Sequence, residues 1–226
     1  VSRGMNDPAM ILNEGKINLD ANSFLVMLAS AVKNVGHIAA HGGTVIMAAG
    51  DEGILSLGGD GLVNVKITKA IEAEVMDFQG NKVSDVISNS GTIAADGGIV
   101  TLTAKGSEEL FDSIINHTGI IEAKSIGEKN GKIVLDGGDD GAVRVDGRLD
   151  ASGNDYREPG GRIEINGEDL LFGGEADLSV NAAEGGAAGV ITAFAERFLS
   201  AKNGAAFEAK AVGGHGTGGD ITLKSD

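Results

Sequence analysis

Asn34-Val-Gly-His-Ile-Ala-Ala-His-Gly-Gly-Thr-Val-Ile-Met-Ala-Ala-Gly50 is the stretch that decides the fold, because the chain repeats it. The later copy is Asn89-Ser-Gly-Thr-Ile-Ala-Ala-Asp-Gly-Gly-Ile-Val-Thr-Leu-Thr-Ala-Lys105, which matches it nearly position by position. Both copies contain a glycine, a short alternating strand, an alanine, a polar turn with Gly-Gly, and a second strand. Internal repetition of this kind indicates a solenoid.

The same pattern continues towards the carboxyl end at spacings of about 27 to 30 residues. It recurs at Gly119-Ile-Ile-Glu-Ala with Gly131-Lys-Ile-Val-Leu, Gly147-Arg-Leu-Asp-Ala with Gly161-Arg-Ile-Glu-Ile, Gly174-Glu-Ala-Asp-Leu-Ser-Val with Gly189-Val-Ile-Thr-Ala, and Gly204-Ala-Ala-Phe-Glu-Ala with Gly219-Asp-Ile-Thr-Leu. Each strand alternates apolar with polar or small residues, which indicates one buried and one solvated face. Glycine-rich corners accept positive φ and let the chain return above itself.

The repeat therefore predicts an all-β fold, a right-handed parallel β-helix of about seven coils. We expect residues 1–226 to form one segment of it, within a much longer chain. A β-sandwich is the alternative. Its antiparallel hairpins would not need the same sequence pattern to recur every 28 residues or about that number.

Composition agrees with thin stacked layers and excludes several classes of protein. Only 4% of the 226 residues are aromatic, 37 are glycine and none is cysteine, so Val, Ile, Leu and Ala must fill the core and no disulfide can form. A formal net charge of −15 repels phosphate backbones, so nucleic acid is not an expected partner. No window reaches the roughly 18 apolar residues of a membrane span, so no transmembrane segment is expected.

Two insertions, residues 69–86 and 107–116, interrupt the repeat, and each predicts a short helix that lengthens a coil. In the second, Ser107 can act as an N-cap. The apolar residues that follow at helical spacing are Leu110, Phe111, Ile114 and Ile115. Such a helix would cover apolar surface or serve as a docking platform for a partner.

Acidic corners are the candidates for chemistry. Asp136, Asp139 and Asp140 fall at one corner, and Asp150, Asp155 and Glu158 at the next. Paired carboxylates hydrolyse glycosides, so a polysaccharide lyase or hydrolase is the alternative function. Asp- and Gly-rich corners are also ordinary turns, and Tyr156 is the only Tyr or Trp on which a sugar could stack. We therefore expect no catalytic residues and no enzyme.

Metal ligation is the other chemistry to weigh. The sequence around the corner with Asp136, Asp139 and Asp140 is similar to the calcium-binding nonapeptide repeat. The nine-residue period of that repeat is absent, so at most an incidental calcium ion is expected there. The histidines are His37, His41, His117 and His215. The first two would be neighbours on a helix, but here they fall on a strand and its turn. No metal site and no cofactor are expected.

The sequence of residues 13–138 resembles that of filamentous-haemagglutinin-like exoproteins of bacterial two-partner secretion systems. The segments that carry the resemblance are Asn13-Glu-Gly-Lys-Ile, Gly36 to Asp51 followed by Gly58 to Val65, Gly91 to Gly98 leading into Thr103 to Lys105, and Ile115 to Gly119 ahead of Ile133 to Gly138. In that family a segment with this sequence pattern lies just after the amino-terminal secretion domain. No Asn-Pro-Asn-Leu-type secretion motif is found, and Asn6-Asp-Pro8 is a faint echo of it.

The resemblance implies export through an outer-membrane transporter, folding outside the cell, and a secreted or cell-surface location. It implies no catalytic residues. The expected function is that of a structural rod segment in a surface adhesin or extracellular filament, which mediates adhesion or cell-surface assembly. The expected partners are the transporter during export and then a host or neighbouring-cell surface, a glycan, or sister chains in a filament.

Overall fold

A computed structural model describes residues 8–58, 63–107, 109–213 and 216–226, and these form a parallel β-helix. The first coil contains β1 (Met10–Asn13), β2 (Lys16–Asn18) and β3 (Phe24–Ala29). The second contains β4 (Ala31–Asn34), β5 (His37–Ala39) and β6 (Thr44–Ala49). A hairpin of β7 (Glu52–Leu57) and β8 (Val63–Lys69) follows, and the third coil contains β9 (Asp85–Asn89), β10 (Thr92–Ala94) and β11 (Ile99–Ala104).

The remaining coils continue the same three-strand order. The fourth contains β12 (Ser113–His117), β13 (Ile120–Glu122) and β14 (Lys132–Asp136). The fifth contains β15 (Val143–Val145), β16 (Arg148–Asp150) and the first part of β17 (Arg162–Phe172). The sixth and seventh contain the end of β17, β18 (Asp177–Ser179), β19 (Val190–Ala201), β20 (Ala206–Glu208) and β21 (Asp220–Ser225).

Equivalent strands of successive coils pair in parallel and form three faces. The first face begins with β1, β4 and β9, the second is the seven-stranded sheet β2-β5-β10-β13-β16-β18-β20, and the third begins with β3, β6 and β11. Because β17 and β19 bend from the third face into the first, both faces join in one sheet. The prediction of an all-β parallel β-helix is confirmed; its right-handed sense stays a prediction.

The core consists of rows of identical or similar side chains that stack from coil to coil. On the second face, the register aligns Ile17, Ile38, Ile93, Ile121, Leu149, Leu178 and Phe207. Glycine corners allow this close stacking: a Cβ on Gly98 would lie 2.0 Å from the carbonyl oxygen of Gly43 in the coil before it. The alternation of apolar and polar residues along each strand, together with the glycine corners, thus produces the predicted stack of coils.

The predicted helix over residues 69–86 is wrong, because no helix occurs in the described part of the chain. Ile71 and Val75 have helical spacing, but each is buried separately against the β-helix. Between Met76 and Lys82 the chain reverses in a tight antiparallel turn. The Asp77 carboxylate accepts the backbone N–H groups of Gln79 and Asn81 at 2.8 and 2.9 Å, which stabilises the turn.

The predicted helix over residues 107–116 is also wrong. The Ser107 hydroxyl accepts the Glu109 N–H at 3.3 Å, but only one turn follows. The chain then enters β12, where Ile115 aligns with Ile87 and Ile114 is fully buried. Adjacent β-branched residues favour a strand, and here the neighbouring strand β9 supplies its hydrogen bonds. Ser107 therefore caps a turn and not a helix.

A further extra-coil element, which the sequence did not predict, is the β7–β8 hairpin. It is antiparallel, and its Val63 and Ile67 pack on the outer side of β6 against Ile46 and Ala48. This small second core lies outside the main one. No helix with the length and hydropathy of a membrane span occurs among the described residues.

Candidate functional site

A buried polar ladder runs inside the first four coils, at the position just before the first corner. The Asn13 side-chain amide donates to Asn34 Oδ1 at 2.8 Å, and the Asn34 amide donates to Asn89 Oδ1 at 2.8 Å. In the fourth coil His117 takes the equivalent position, with its Nδ1 3.1 Å from Asn89 Nδ2. The ladder satisfies polar groups that would otherwise be costly to bury.

His117 ends the ladder as a neutral imidazole. Asn89 Nδ2 can only donate, so His117 Nδ1 accepts, and Nε2–H donates to the Arg148 carbonyl oxygen at 3.0 Å. Burial disfavours the charged ring and lowers the pKa of His117 to about 4. The histidine thus connects an amide ladder to a backbone carbonyl without leaving an unpaired group.

Beyond His117 the same interior position becomes apolar. Val145 and then Phe172 occupy it in the next two coils. The Phe172 ring meets Phe207 edge to face, with ring centroids 4.9 Å apart. An aromatic pair of this geometry contributes beyond its buried area.

Sequence reasoning missed this ladder, although a signal for it was present. Each ladder residue precedes a corner glycine by two positions, in Asn13-Glu-Gly15, Asn34-Val-Gly36, Asn89-Ser-Gly91 and His117-Thr-Gly119. A polar residue that recurs at a fixed place before a stacked corner indicates a side-chain ladder.

The acidic residues that the sequence singled out lie at two separate places in the coil. Asp136 accepts the Gly138 N–H at 3.2 Å at the end of β14, and Asp139 and Asp140 lie exposed in the next turn. Asp150 is buried on β16, where Arg148 contacts it at 2.8 Å, and Asp155 lies exposed in the loop after it. The two predicted groups therefore occupy different corners of the coil.

Glu158 has a structural partner set of its own. Its carboxylate accepts three backbone N–H groups, from Gly127 at 2.7 Å, Asp155 at 3.0 Å and Asn154 at 3.2 Å. These bonds, led by the one from Gly127, hold the pKa of Glu158 below its usual value. Because they tie a loop of the fourth coil to a loop of the fifth, Glu158 stabilises the corner.

The histidines are likewise dispersed. His37 is half-buried on β5, His41 is exposed in the following turn, and His117 is inside the ladder. His215 lies outside the described residues, as do Asn6 and Asp7 of the faint secretion-motif echo. Within the described ranges no three His, Cys, Asp or Glu side chains are grouped as metal ligands.

The hairpin presents the most exposed apolar strand of the described residues. All six residues of β7 are exposed, and Ile54, Leu55 and Leu57 among them are large and apolar. β7 pairs with β8 on one edge, so its other backbone edge is open. A groove of about 700 Å³ lies at its root, between Met10, Leu28 and Ile54. Open apolar edges of this kind bind extended segments.

The stacked parallel coils define the class of fold, a parallel β-helix. The crystal structure of the HMW1 secretion domain from Haemophilus influenzae matches 99% of this chain and 65% of that chain, with a TM-score of 0.64. The two share 19% sequence identity over the match, which shows a common fold. No family model matches the chain.

Among curated proteins, the chain is similar to heme/hemopexin-binding proteins of Haemophilus influenzae. One is 40% identical over 58 residues, which are 26% of this chain and 6% of the relative. The other, from strain Rd, is 30% identical over 163 residues, which are 70% of this chain and 16% of the relative. The chain therefore spans a small part of the length of these relatives.

These similarities support the coarser part of the resemblance. Both similarities agree with the predicted resemblance to an exoprotein of two-partner secretion, whereas a secreted location and an adhesin-type role stay predictions. The narrower resemblance to filamentous haemagglutinin stays a prediction.

Proposed function

We propose that the chain is a rod segment of a secreted bacterial surface adhesin or extracellular filament, exported by an outer-membrane transporter and without enzymatic activity. The observation that carries the proposal is the uninterrupted parallel pairing of one strand per coil along a seven-stranded face. At about 4.8 Å per coil, such stacking yields reach and stiffness. Each finished coil also offers the template for the next, which suits folding outside the cell.

The chain either follows the secretion domain or overlaps with it. The sequence resemblance puts it just after that domain, whereas the match of 99% of the chain to a secretion-domain fold supports overlap with it. Export of this chain alone separates them. A signal peptide is fused to residues 1–226, and the fusion is expressed with and without a two-partner transporter from the parent organism.

Transporter-dependent appearance of the fusion in the medium would support overlap. Periplasmic retention that is relieved by adding the upstream domain would support the position after it. Retention with the upstream domain present would contradict export by this route. Small-angle scattering of the purified chain checks the rod itself, since a spherical particle would contradict it.

Adhesion is the finer part of this proposal. Host or neighbouring cells, or sister chains, remain the proposed targets. Bacteria that express the full parent protein are compared with bacteria in which two whole coils, residues 113–167, are removed. A rod role predicts weaker cell attachment at unchanged surface amount, because reach is shortened. Attachment that is unchanged would contradict a role for rod length.

A second candidate function is partner docking by the extra-coil insertions, and the exposed apolar β7 favours it. Replacing residues 52–69 with a short Gly-Ser link removes the hairpin and leaves the three faces intact. Docking predicts loss of attachment or filament assembly with a retained β-sheet dichroism spectrum. Unchanged attachment and assembly would contradict it.

Absence of enzymatic activity is part of the proposal and has its own test. The purified chain is incubated with acidic polysaccharides and the products are assayed for reducing ends and unsaturated uronates. No products are expected. Product formation that Asp150→Asn or Asp155→Asn abolishes would instead establish the carbohydrate-active alternative.

A further inference from the structure

An open groove of about 430 Å³ crosses the outer side of the first face over the fourth to seventh coils. The pairing register aligns Asn116, Arg144, Leu171 and Ser200 along its length, one from each coil. At about 4.8 Å per coil, Arg144 and Ser200 are separated by about 10 Å. Lys202 lies at the corner beside them. The groove is thus an extended trough and not an enclosed pocket.

Two cationic side chains of this trough have no partner among the described residues. Neither the Arg144 guanidinium nor the Lys202 ammonium forms a hydrogen bond or an ion pair with any of them. Elsewhere Arg148 contacts Asp150 at 2.8 Å and Lys132 contacts Glu164 at 2.7 Å. Two unpaired cations therefore line one groove on a chain of net charge −15.

One oxygen of the carboxylate that lines the trough, that of Asp146, is already engaged. Asp146 Oδ1 accepts the Glu175 N–H at 2.8 Å, so it fixes the corner between the fifth and sixth coils. The other lining groups include the hydroxyls of Thr118 and Ser200 and the aliphatic side chain of Leu171. The groove therefore offers cations, hydroxyls and one apolar patch to a ligand.

We propose that this trough binds an acidic saccharide, an extended sugar chain that bears carboxylate or sulfate groups. Arg144 has the planar fork that matches an oxyanion, and Lys202 supplies a second point charge. Thr118 and Ser200 can hydrogen-bond to ring hydroxyls. A compact ligand would need most of its surface enclosed, which an open trough cannot provide. The site does not depend on the proposed export route.

Nucleic acid is the other extended polyanion, but the trough suits it less well. Duplex and single-stranded binders neutralise many phosphates with clustered cations, or stack bases on aromatic rings. The trough holds two cations, and its only aromatic side chain, Phe172, is buried in the core. Binding of single-stranded DNA is therefore an outcome that would count against the proposal.

The test is equilibrium binding of purified residues 1–226 to defined probes at low ionic strength. The probes are an oligogalacturonate, which carries carboxylates, a heparin-derived oligosaccharide, which carries sulfates as well, neutral maltohexaose, and an oligothymidylate. The variants are Arg144→Ala, Lys202→Ala and the pair. Lys33→Ala is the matched control, because Lys33 is exposed on the same face, is unpaired and lies outside the trough.

The expected result is saturable binding of at least one acidic saccharide, with affinity about tenfold lower in each single variant, as for a lost charged contact. The Lys33→Ala affinity should stay within about twofold. Arg144→Lys should bind less tightly than the parent, because the charge remains and the fork is lost. Far-ultraviolet dichroism confirms that each variant is folded.

Three results would overturn the proposal. The first is absence of saturable binding to both acidic saccharides. The second is an equal loss in Lys33→Ala, which would indicate a general charge effect. The third is oligothymidylate binding as tight as that of the saccharides. Preference for one acidic probe over the other identifies carboxylate or sulfate as the recognised group.

Discussion

The first four coils and the last three solve the same packing problem in different ways. Before the first corner, the amino-terminal coils place Asn13, Asn34, Asn89 and His117 in the interior, and the coils after them place Val145 and Phe172. Amide pairs are directional and fix one register, whereas apolar groups stabilise by burial alone. No buried side-chain nitrogen or oxygen among the described residues lacks a partner in either region.

The largest effect should come from the feature that both regions share, the stacked glycine corner. A Cβ at Gly98 would lie 2.0 Å from the Gly43 carbonyl oxygen, and one at Gly189 would lie 1.9 Å from that of Gly161. Gly98→Ala and Gly189→Ala must therefore separate neighbouring coils, and each should reduce the free energy of unfolding by more than about 5 kcal/mol. Urea unfolding followed by dichroism measures this.

Gly218→Ala is the matched control, because nothing lies within 4 Å of the added Cβ. It should unfold with the parent chain. Equal midpoints for Gly98→Ala and the parent would show that close coil contact at this corner is not required.

The next largest effect should be confined to the apolar region. Phe172 is 2% exposed and packs edge to face on Phe207, so Phe172→Ala loses buried area and leaves a cavity. The expected loss is about 3–5 kcal/mol. Phe78→Ala is the control, since Phe78 is 76% exposed, and its change should stay within about 0.5 kcal/mol. A similar loss in both variants would contradict the assignment of Phe172 to the core.

The sequence predicted the stacked coils because strand alternation and glycine corners are local and repeat with a fixed period. It did not predict where Ile71, Val75 or Ile114 would be buried, because apolar spacing alone does not separate a helix from a strand that turns a corner. Burial against neighbouring coils decides that choice, and it is a non-local property. The turn residues Asp77 and Gly80 were the local signal against the first helix.

Candidate chemistry was less predictable than the fold. Carboxylates that are close in sequence have different surroundings once the chain turns, since Asp136 accepts the Gly138 N–H whereas Asp139 lies exposed. Conversely Arg144 and Lys202, which are far apart in sequence, line one trough because stacking brings equivalent positions of successive coils together. A solenoid site is therefore defined by register, and register follows from pairing that no single repeat encodes.

Acid should weaken the polar region through His117. The fold lowers the pKa of His117 to about 4 from an ordinary value near 6.5, so the native state prefers the neutral ring. The free energy of unfolding is therefore unaffected by His117 above pH 6.5 and falls as the pH drops towards 4, because the unfolded chain takes up the proton first. The total loss is about 3 kcal/mol. Urea unfolding at intervals between pH 7.5 and 4 measures the decline.

His117→Asn separates this effect from the titration of other groups. Asparagine can extend the ladder from Asn89 but does not titrate, so the variant should lose less stability over the same pH range. His37, His41 and His215 remain in both proteins and cancel in the comparison. Identical pH profiles for the variant and the parent would show that His117 does not govern acid sensitivity.

The smallest effect should come from converting one ladder position to the apolar solution. Asn34→Val places in the second coil the residue that Val145 supplies in the fifth. Valine buries well, but it leaves the Asn13 Nδ2–H donor and the Asn89 Oδ1 acceptor without partners. The net loss should be about 2 kcal/mol in urea unfolding, the cost of unpaired buried polar groups offset by added apolar burial. Lys33→Val, at the exposed neighbouring position, should change the free energy of unfolding little. An Asn34→Val variant as stable as the parent would mean that the ladder can be exchanged for apolar packing one residue at a time.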